Sequence, residues 1–134
     1  MAKDLYHDAV EVALMKDGWT IIKDEYRLNV DDDFLFLIDV YAEKYVVAER
    51  KNQLIFVEIK SFASAKKYEF HGAIGQYITY HTALEYLKLE YDLYLAVPID
   101  VFNQIFKTAF AQYLTEKYKI KLMPFNPIKK ILVK

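Results

Sequence analysis

The sequence contains no cysteine. Disulfides and thiolate-based zinc sites are therefore excluded. Glycine and proline are scarce, at 3 residues each, and no low-complexity stretch, linker or internal repeat breaks the chain. No segment approaches the roughly 18 consecutive apolar residues that would span a membrane. The start, Met1-Ala2-Lys3-Asp4, lacks the long apolar run of a signal peptide. A soluble, cytoplasmic protein is the expectation. Positive charge is not in excess either: 18 Lys and Arg face 19 Asp and Glu, for a net charge of −1. A stand-alone DNA binder ordinarily carries a clear positive excess, because neutralising phosphates drives its affinity. Contact of this chain with DNA would need a local basic patch or a partner.

What is present suits one domain over residues 1–134. A hydrophobic fraction of 54% and a charged fraction of 28% are enough for a proper core and too apolar for a disordered chain. The 12 Tyr and 9 Phe can line a core whose hydroxyls reach its polar boundary.

Residues 4–17 read as a first helix, with Asp4 as N-cap, Gly18 just past the end, and Leu5, Ala9, Val12 and Ala13 as the apolar stripe. Residues 19–30 read as a strand, and Asp31-Asp32-Asp33 as a turn. Residues 34–41 form an apolar strand holding one acid, Asp39, and residues 45–50 another extended stretch. Lys51-Asn52 reads as a tight turn. Leu54 to Lys60 is the clearest strand, with Ile55, Val57 and Ile59 on one face and Phe56, Glu58 and Lys60 on the other. A long helix over 66–90 follows, carrying Ala73, Ile74, Tyr77, Ile78 and Leu84 at a 3.6-residue period. The continuous apolar run 91–97 reads as a strand buried on both faces. A third helix is expected from an Asp100 cap to about Tyr118, with Val101, Phe102, Ile105, Phe106, Ala109 and Tyr113 buried. Short strands over 120–123 and 128–133 close the chain, separated by an Asn126-Pro127 turn. The order α-β-β-β-α-β-α-β-β predicts an α/β fold: a central mixed β-sheet flanked by helices.

Three features can carry chemistry. Asp39 interrupts an apolar strand; Glu58 and Lys60 share a strand face; Gln76 and Tyr80 share a helix face. Mg²⁺ takes oxygen ligands, with only one or two protein carboxylates among them. Asp39, Glu58 and the carbonyl of Ile59 can supply such ligands to Mg²⁺ or Mn²⁺. Lys60 can orient an attacking water or offset transition-state charge. Gln76 can hold a nucleotide or water, with Tyr80 behind it. Each feature alone also has an ordinary role: an ion pair on a strand, a strand-end acid, a solvated helix face. Order and topology favour the chemical reading. Glu11, on the polar face of the first helix, is a supporting candidate. Glu43 and Glu49 compete with Asp39, which the apolar neighbours favour. His7, His71 and His81 form no recognisable metal cluster, and Lys66 and Lys67 can meet phosphate or simply solvate a helix start.

Ile38-Asp39 together with Val57-Glu58-Ile59-Lys60-Ser61-Phe62 resembles the PD-(D/E)xK nuclease core, which implies a restriction-endonuclease-like fold. More narrowly, the whole chain resembles the XisH family, the fdxN-element excision controlling factors of cyanobacteria. The segments that carry this are Met1-Ala2-Lys3-Asp4-Leu5, Lys16-Asp17-Gly18-Trp19, Ala42-Glu43-Lys44, Val57 to Phe62, Gly75-Gln76-Tyr77, and Leu93 to Pro98. The resemblance implies a role in site-specific excision of a DNA element in which a separate recombinase exchanges strands. It also implies a small companion protein of the XisI kind, and a homodimer by analogy with nucleases of the class. Ile38 stands where the motif's name has proline, and the gap from Asp39 to Glu58 is long. The activities in contention are a metal-dependent DNA endonuclease, a non-catalytic accessory protein that keeps the nuclease fold and binds the companion, and a toxin–antitoxin-like pair.

Overall fold

A computed structural model describes residues 4–49, 51–63 and 66–134. The elements run α1 (His7–Lys16), β1 (Thr20–Lys23), β2 (Tyr26–Asn29), β3 (Leu35–Ile38), β4 (Val40–Val46), β5 (Lys51–Ile59), α2 (Lys66–Tyr86), β6 (Asp92–Pro98) and α3 (Ile99–Val101). A π turn over Phe102–Phe106 leads to α4 (Ala109–Lys117), β7 (Lys121–Asn126) and β8 (Ile131–Leu132). Six strands form one sheet in the order β1-β4-β5-β6-β7-β8, while β2 and β3 pair as a separate ribbon. The β1–β4, β4–β5 and β7–β8 pairs are antiparallel; β5–β6 and β6–β7 are parallel. Each parallel step needs a crossover, and α2 and the α3–α4 segment provide the two.

Strand alternation divides the core. Phe56, Leu93, Leu95 and Val97 face Ala73, Tyr77 and Leu84 of α2, with Val101 and Phe106 at the edge. Val40, Ala42, Ile55, Val57, Ile59 and Ala96 point the other way and meet Val10 and Leu14 of α1. The central mixed sheet is thus flanked by helices on both sides, an architecture consistent with an α/β nuclease-like fold. No described helix is long and apolar enough to cross a membrane.

The first helix starts at His7, not at Asp4, whose carboxylate accepts hydrogen bonds from the Tyr6 and Ser61 backbone N–H groups instead. Its buried residues are His7, Ala9, Val10, Ala13 and Leu14, while Leu5 is exposed. Its end follows the sequence reading. Gly18 has φ +96°, its N–H donates to the Met15 carbonyl, and the Trp19 N–H donates to the Leu14 carbonyl. This is a Schellman closure, which favours glycine at the left-handed position. A Cβ at Gly18 would also lie 3.3 Å from Lys44 Cε. Gly18→Ala is therefore expected to cost about 1–2 kcal/mol in chemical denaturation, and an unchanged midpoint would refute the strain.

Several boundaries differ from expectation. The run 19–30 is two strands, because the chain bends at Asp24-Glu25 and leaves the main sheet for the ribbon. The run 34–41 likewise breaks at Asp39. Lys51 and Asn52 pair with Val46 and Tyr45 inside the β4–β5 ladder, and the turn falls at 47–49. The long helix stops at Tyr86. The third helix starts at Ile99 after Pro98, passes through the π turn, and restarts at Ala109 with Thr108 as N-cap, its hydroxyl accepting from the Ala111 N–H. The helix breaks at Thr108, whose extended backbone (φ −67°, ψ 153°) starts α4 on a new face, so Ala111 and Thr115 are buried while Ala109 and Tyr113 are exposed. Of the last two strands, the first extends to Asn126. The second is only two residues long, because the Asn126 carboxamide accepts from the Ile128 and Lys129 N–H groups and holds a turn.

Candidate functional site

Asp39 sits where the chain leaves the β2–β3 ribbon and enters the central sheet. Its Oδ2 accepts a hydrogen bond from the Ile59 N–H at 2.8 Å, and its own N–H donates to Glu58 Oε1 at 3.3 Å. The two acids are thereby crossed: each carboxylate binds backbone belonging to, or adjoining, the other. Glu58 is only 4% exposed. Burial, and then the negative charge of Asp39, push its carboxyl up to about 9, while the charge of Lys60 pulls the other way. Burial also raises Asp39, opposed by the Ile59 N–H, by the hydrogen bond with Glu58 and by the charge of His7. Two carboxylates in contact cannot both stay ionised at low cost. The pair therefore favours sharing one proton, and Glu58 is the carboxyl pushed up further.

Helix α2 covers the face onto which Glu58 projects. Gln76 Nε2 donates to the Tyr80 hydroxyl at 2.8 Å, and that hydroxyl donates to the Leu37 carbonyl at 3.4 Å. Burial and then the charge of Glu58 raise the Tyr80 hydroxyl, so the Gln76–Tyr80 pair adjoins the acids. Gln76 Oε1 is shielded from solvent and accepts no hydrogen bond from a described residue. Lys60 is half-buried, acts on Glu58 through its charge, and makes no ion pair with a described residue.

Helix α1 approaches from the opposite side. The Asp4 carboxylate binds the Ser61 N–H at 3.1 Å, which ties the start of α1 to the residue after Lys60. One turn on, His7 is 2% exposed and its Nε2 lies 3.5 Å from Glu11 Oε2. Sequence reasoning gave no site role to Asp4 or His7. The available signal was spacing: His7 lies three and seven residues before the buried Val10 and Leu14, and four before Glu11.

Other candidates lie apart. Glu43 accepts from Asn52 Nδ2 towards the opposite end of β4, and Glu49 pairs with Lys51 beyond the strand. His81 pairs with Glu85 on the exposed side of α2, and His71 is exposed. The side chains of Lys66 and Lys67 lie outside the described residues. Among the described residues, no three His, Asp or Glu side chains gather into a metal-binding set.

The family model described as XisH protein matches residues 1–133. The chain belongs to the XisH family. Membership agrees with the resemblance carried by the segments from Lys16-Asp17-Gly18-Trp19 to Leu93–Pro98. Two solved structures show the XisH likeness in three dimensions. An XisH family protein from Nostoc punctiforme PCC 73102 is 31% identical and superposes with a TM-score of 0.83, over 98% of this chain and 98% of that one. An fdxN element excision controlling factor protein from Anabaena variabilis is also 31% identical, with a TM-score of 0.84 and the same coverage of both chains. No curated protein matches the chain.

Proposed function

We propose that this XisH-family chain is an excision controlling factor that acts on DNA as a metal-dependent endonuclease of the PD-(D/E)xK type. The Anabaena variabilis relative supports the excision role. The observation that carries the chemistry is the crossed Asp39–Glu58 pair, buried, protonated once and followed two residues later by Lys60. A structural pair of this kind gains little over apolar packing, since burying carboxylates costs more than it returns. It suits a site that exchanges its proton for a cation.

Asp39 and Glu58, with the Ile59 carbonyl, would hold Mg²⁺ or Mn²⁺. The all-oxygen donor set and the two carboxylates fit such an ion. When bound, it lowers the pKa of its water and polarises the scissile phosphate. Glu58 gives up its proton to bind. The Lys60 ammonium orients the attacking water and offsets charge gathering on the phosphate. Gln76 Oε1, the acceptor without a partner among the described residues, takes a hydrogen bond from a water or a nucleotide, and Tyr80 holds that carboxamide in place. Glu11 supports the site from α1. A homodimer would bring two such sites to two strands.

A second reading rests on the net charge of −1. In it, the protein is an accessory factor that works through an XisI-like companion and cuts nothing. The deciding experiment is cleavage of supercoiled and branched DNA with Mg²⁺ or Mn²⁺, with and without the companion. Cleavage by the wild type that falls at least about 100-fold in Glu58→Ala and in Lys60→Ala, both folded, is the expected result. No cleavage under any condition leaves the accessory reading.

A further inference from the structure

Two surface troughs meet at Phe110. One, of about 340 Å³, is walled by Phe70, Ile105 and Phe110 and touches the exposed His71 and Gln104. The other, of about 180 Å³, is walled by Phe110, Tyr113, Lys117 and Tyr118. Phe110 is 69% exposed and Tyr113 67%. The two stand three residues apart on α4, hence side by side. The helix needs neither ring for packing, since its buried side is Ala111 and Thr115. Exposed rings gathered along one trough mark a surface that meets something else.

Charge says what that surface takes. The chain carries a net charge of −1, yet residues 102–120 hold Lys107, Lys117 and Lys119 against Glu116 alone. Lys107 precedes the N-cap Thr108 and Lys117 ends α4, so positive charge brackets the rings. Lys117 Nζ also lies 5.6 Å from the centre of the Tyr118 ring. A second apolar trough gives the contrast. Between the ribbon and α2, Phe34, Phe36 and Tyr86 line a trough edged by Asp31, with Asp32 and Asp33 next in the chain. That one repels phosphate, and the α4 face attracts it. Position links the α4 face to the acids. Phe70 packs on Phe106 at 5.5 Å, Phe106 packs on Phe62 at 5.9 Å, and Phe62 follows Lys60 by two residues.

We propose that the outer face of α4 binds an unpaired DNA strand, whose bases stack on Phe110 and Tyr113 and whose phosphates meet Lys107 and Lys117. A duplex hides its base faces, so exposed rings stack only on unpaired bases, and such stacking tolerates any base. The inference rests on DNA as the substrate and deepens that reading: it assigns the form of DNA held beside the acids, a frayed, branched or single-stranded segment. A net charge of −1 is compatible with it, because stacking supplies part of the affinity that phosphate contacts supply elsewhere.

Fluorescence anisotropy of a labelled oligothymidylate mixed with the whole protein, in a chelator that stops cleavage, tests it. The wild type is expected to bind this strand about tenfold or more tightly than the same strand paired in a duplex. Phe110→Ala and Tyr113→Ala should each weaken binding about fivefold or more. Lys117→Gln should weaken it too, and should lower the slope of log K against log salt by about 0.7. Phe34→Ala, in the acidic trough, should change nothing. All four side chains are exposed, and equal urea midpoints check that the fold is kept. No binding of the strand, binding unaltered in Phe110→Ala and Tyr113→Ala, or equal affinity for the duplex overturns the proposal. So does a face that joins two copies of the chain: Phe110→Ala would then shift the sedimentation of the protein alone and leave strand binding as it was. Strand binding without cleavage under any condition would sink the nuclease reading and leave this one standing. Cleavage of DNA without strand binding would sink this one alone.

Discussion

Glu58→Gln should be inactive and yet more stable than the wild type, and the gain should grow with pH. The carboxyl of Glu58 is raised from an ordinary 4.5 to about 9 by burial and then by the charge of Asp39. Below 4.5 both the folded and unfolded chains hold this proton, and the group is neutral in the balance. Between 4.5 and 9 only the folded chain holds it. The native state then binds more protons than the unfolded one, so stability falls as pH rises through that window. Each pH unit is worth about 1.4 kcal/mol at most. Sharing with Asp39 reduces this, and a gain of roughly 1–3 kcal/mol for Glu58→Gln at pH 7 is the reasonable scale. Glutamine can still donate to Asp39 and accept from the Asp39 N–H. Urea denaturation at pH 5, 7 and 8.5 in a chelator reads the effect. Equal stability of the two proteins across that range would mean that Glu58 is ionised at rest. On the proposed metal-dependent reading, the wild type alone should gain stability with Mg²⁺ present, since an ion held by the native state would replace the proton.

Phe56→Ala should be the most destabilising single change on the same strand. Phe56 is fully buried, and its ring centroid lies 4.8 Å from that of Tyr41, 4.9 Å from Tyr26 and 5.8 Å from Tyr91. Truncating such a ring costs about 3–5 kcal/mol, and the aromatic pairs add to the loss. A fall in Tm of roughly 10–20 °C corresponds to this in a chain of this size. Tyr26 belongs to the ribbon, whereas Phe56 and Tyr41 belong to the central sheet. Hydrogen exchange should therefore accelerate in β2 and β3 beyond the global change. Uniform acceleration across all strands would show that Phe56 does not hold the ribbon.

How far the sequence could be read depended on how each feature is encoded. The β5 and β6 strands were legible because alternation and an unbroken apolar run are local signals that deep burial reinforces. The end of α1 was legible because it uses glycine. The ends of α2 and α4 use the same left-handed closure with Lys88 at φ +58° and Lys119 at φ +53°, and lysine advertises nothing of the kind. The break at Asp39 was hidden because the ribbon and the main sheet are both apolar and extended there. Only tertiary pairing separates them. Asp39, Glu58 and Lys60 could be singled out by an acid in an apolar strand and by strand parity. His7 was marked only by its spacing to Val10, Leu14 and Glu11, and that spacing acquires weight only once burial is known.

The ribbon has a mechanical consequence. A strand stitched into a sheet by hydrogen bonds can slip only by whole residues, because every partner must change at once. The β2–β3 ribbon is outside the main ladder and rests on Phe56 of that ladder and on Tyr80 of α2 through the Tyr26–Phe56 and Phe36–Tyr80 ring contacts. Ring contacts slide by fractions of an ångström at little cost. Asp39, bolted to the Ile59 N–H at the ribbon's root, is the pivot. A displacement of the ribbon would therefore reach Asp39 first, because the ribbon's root and the carboxylate share that residue.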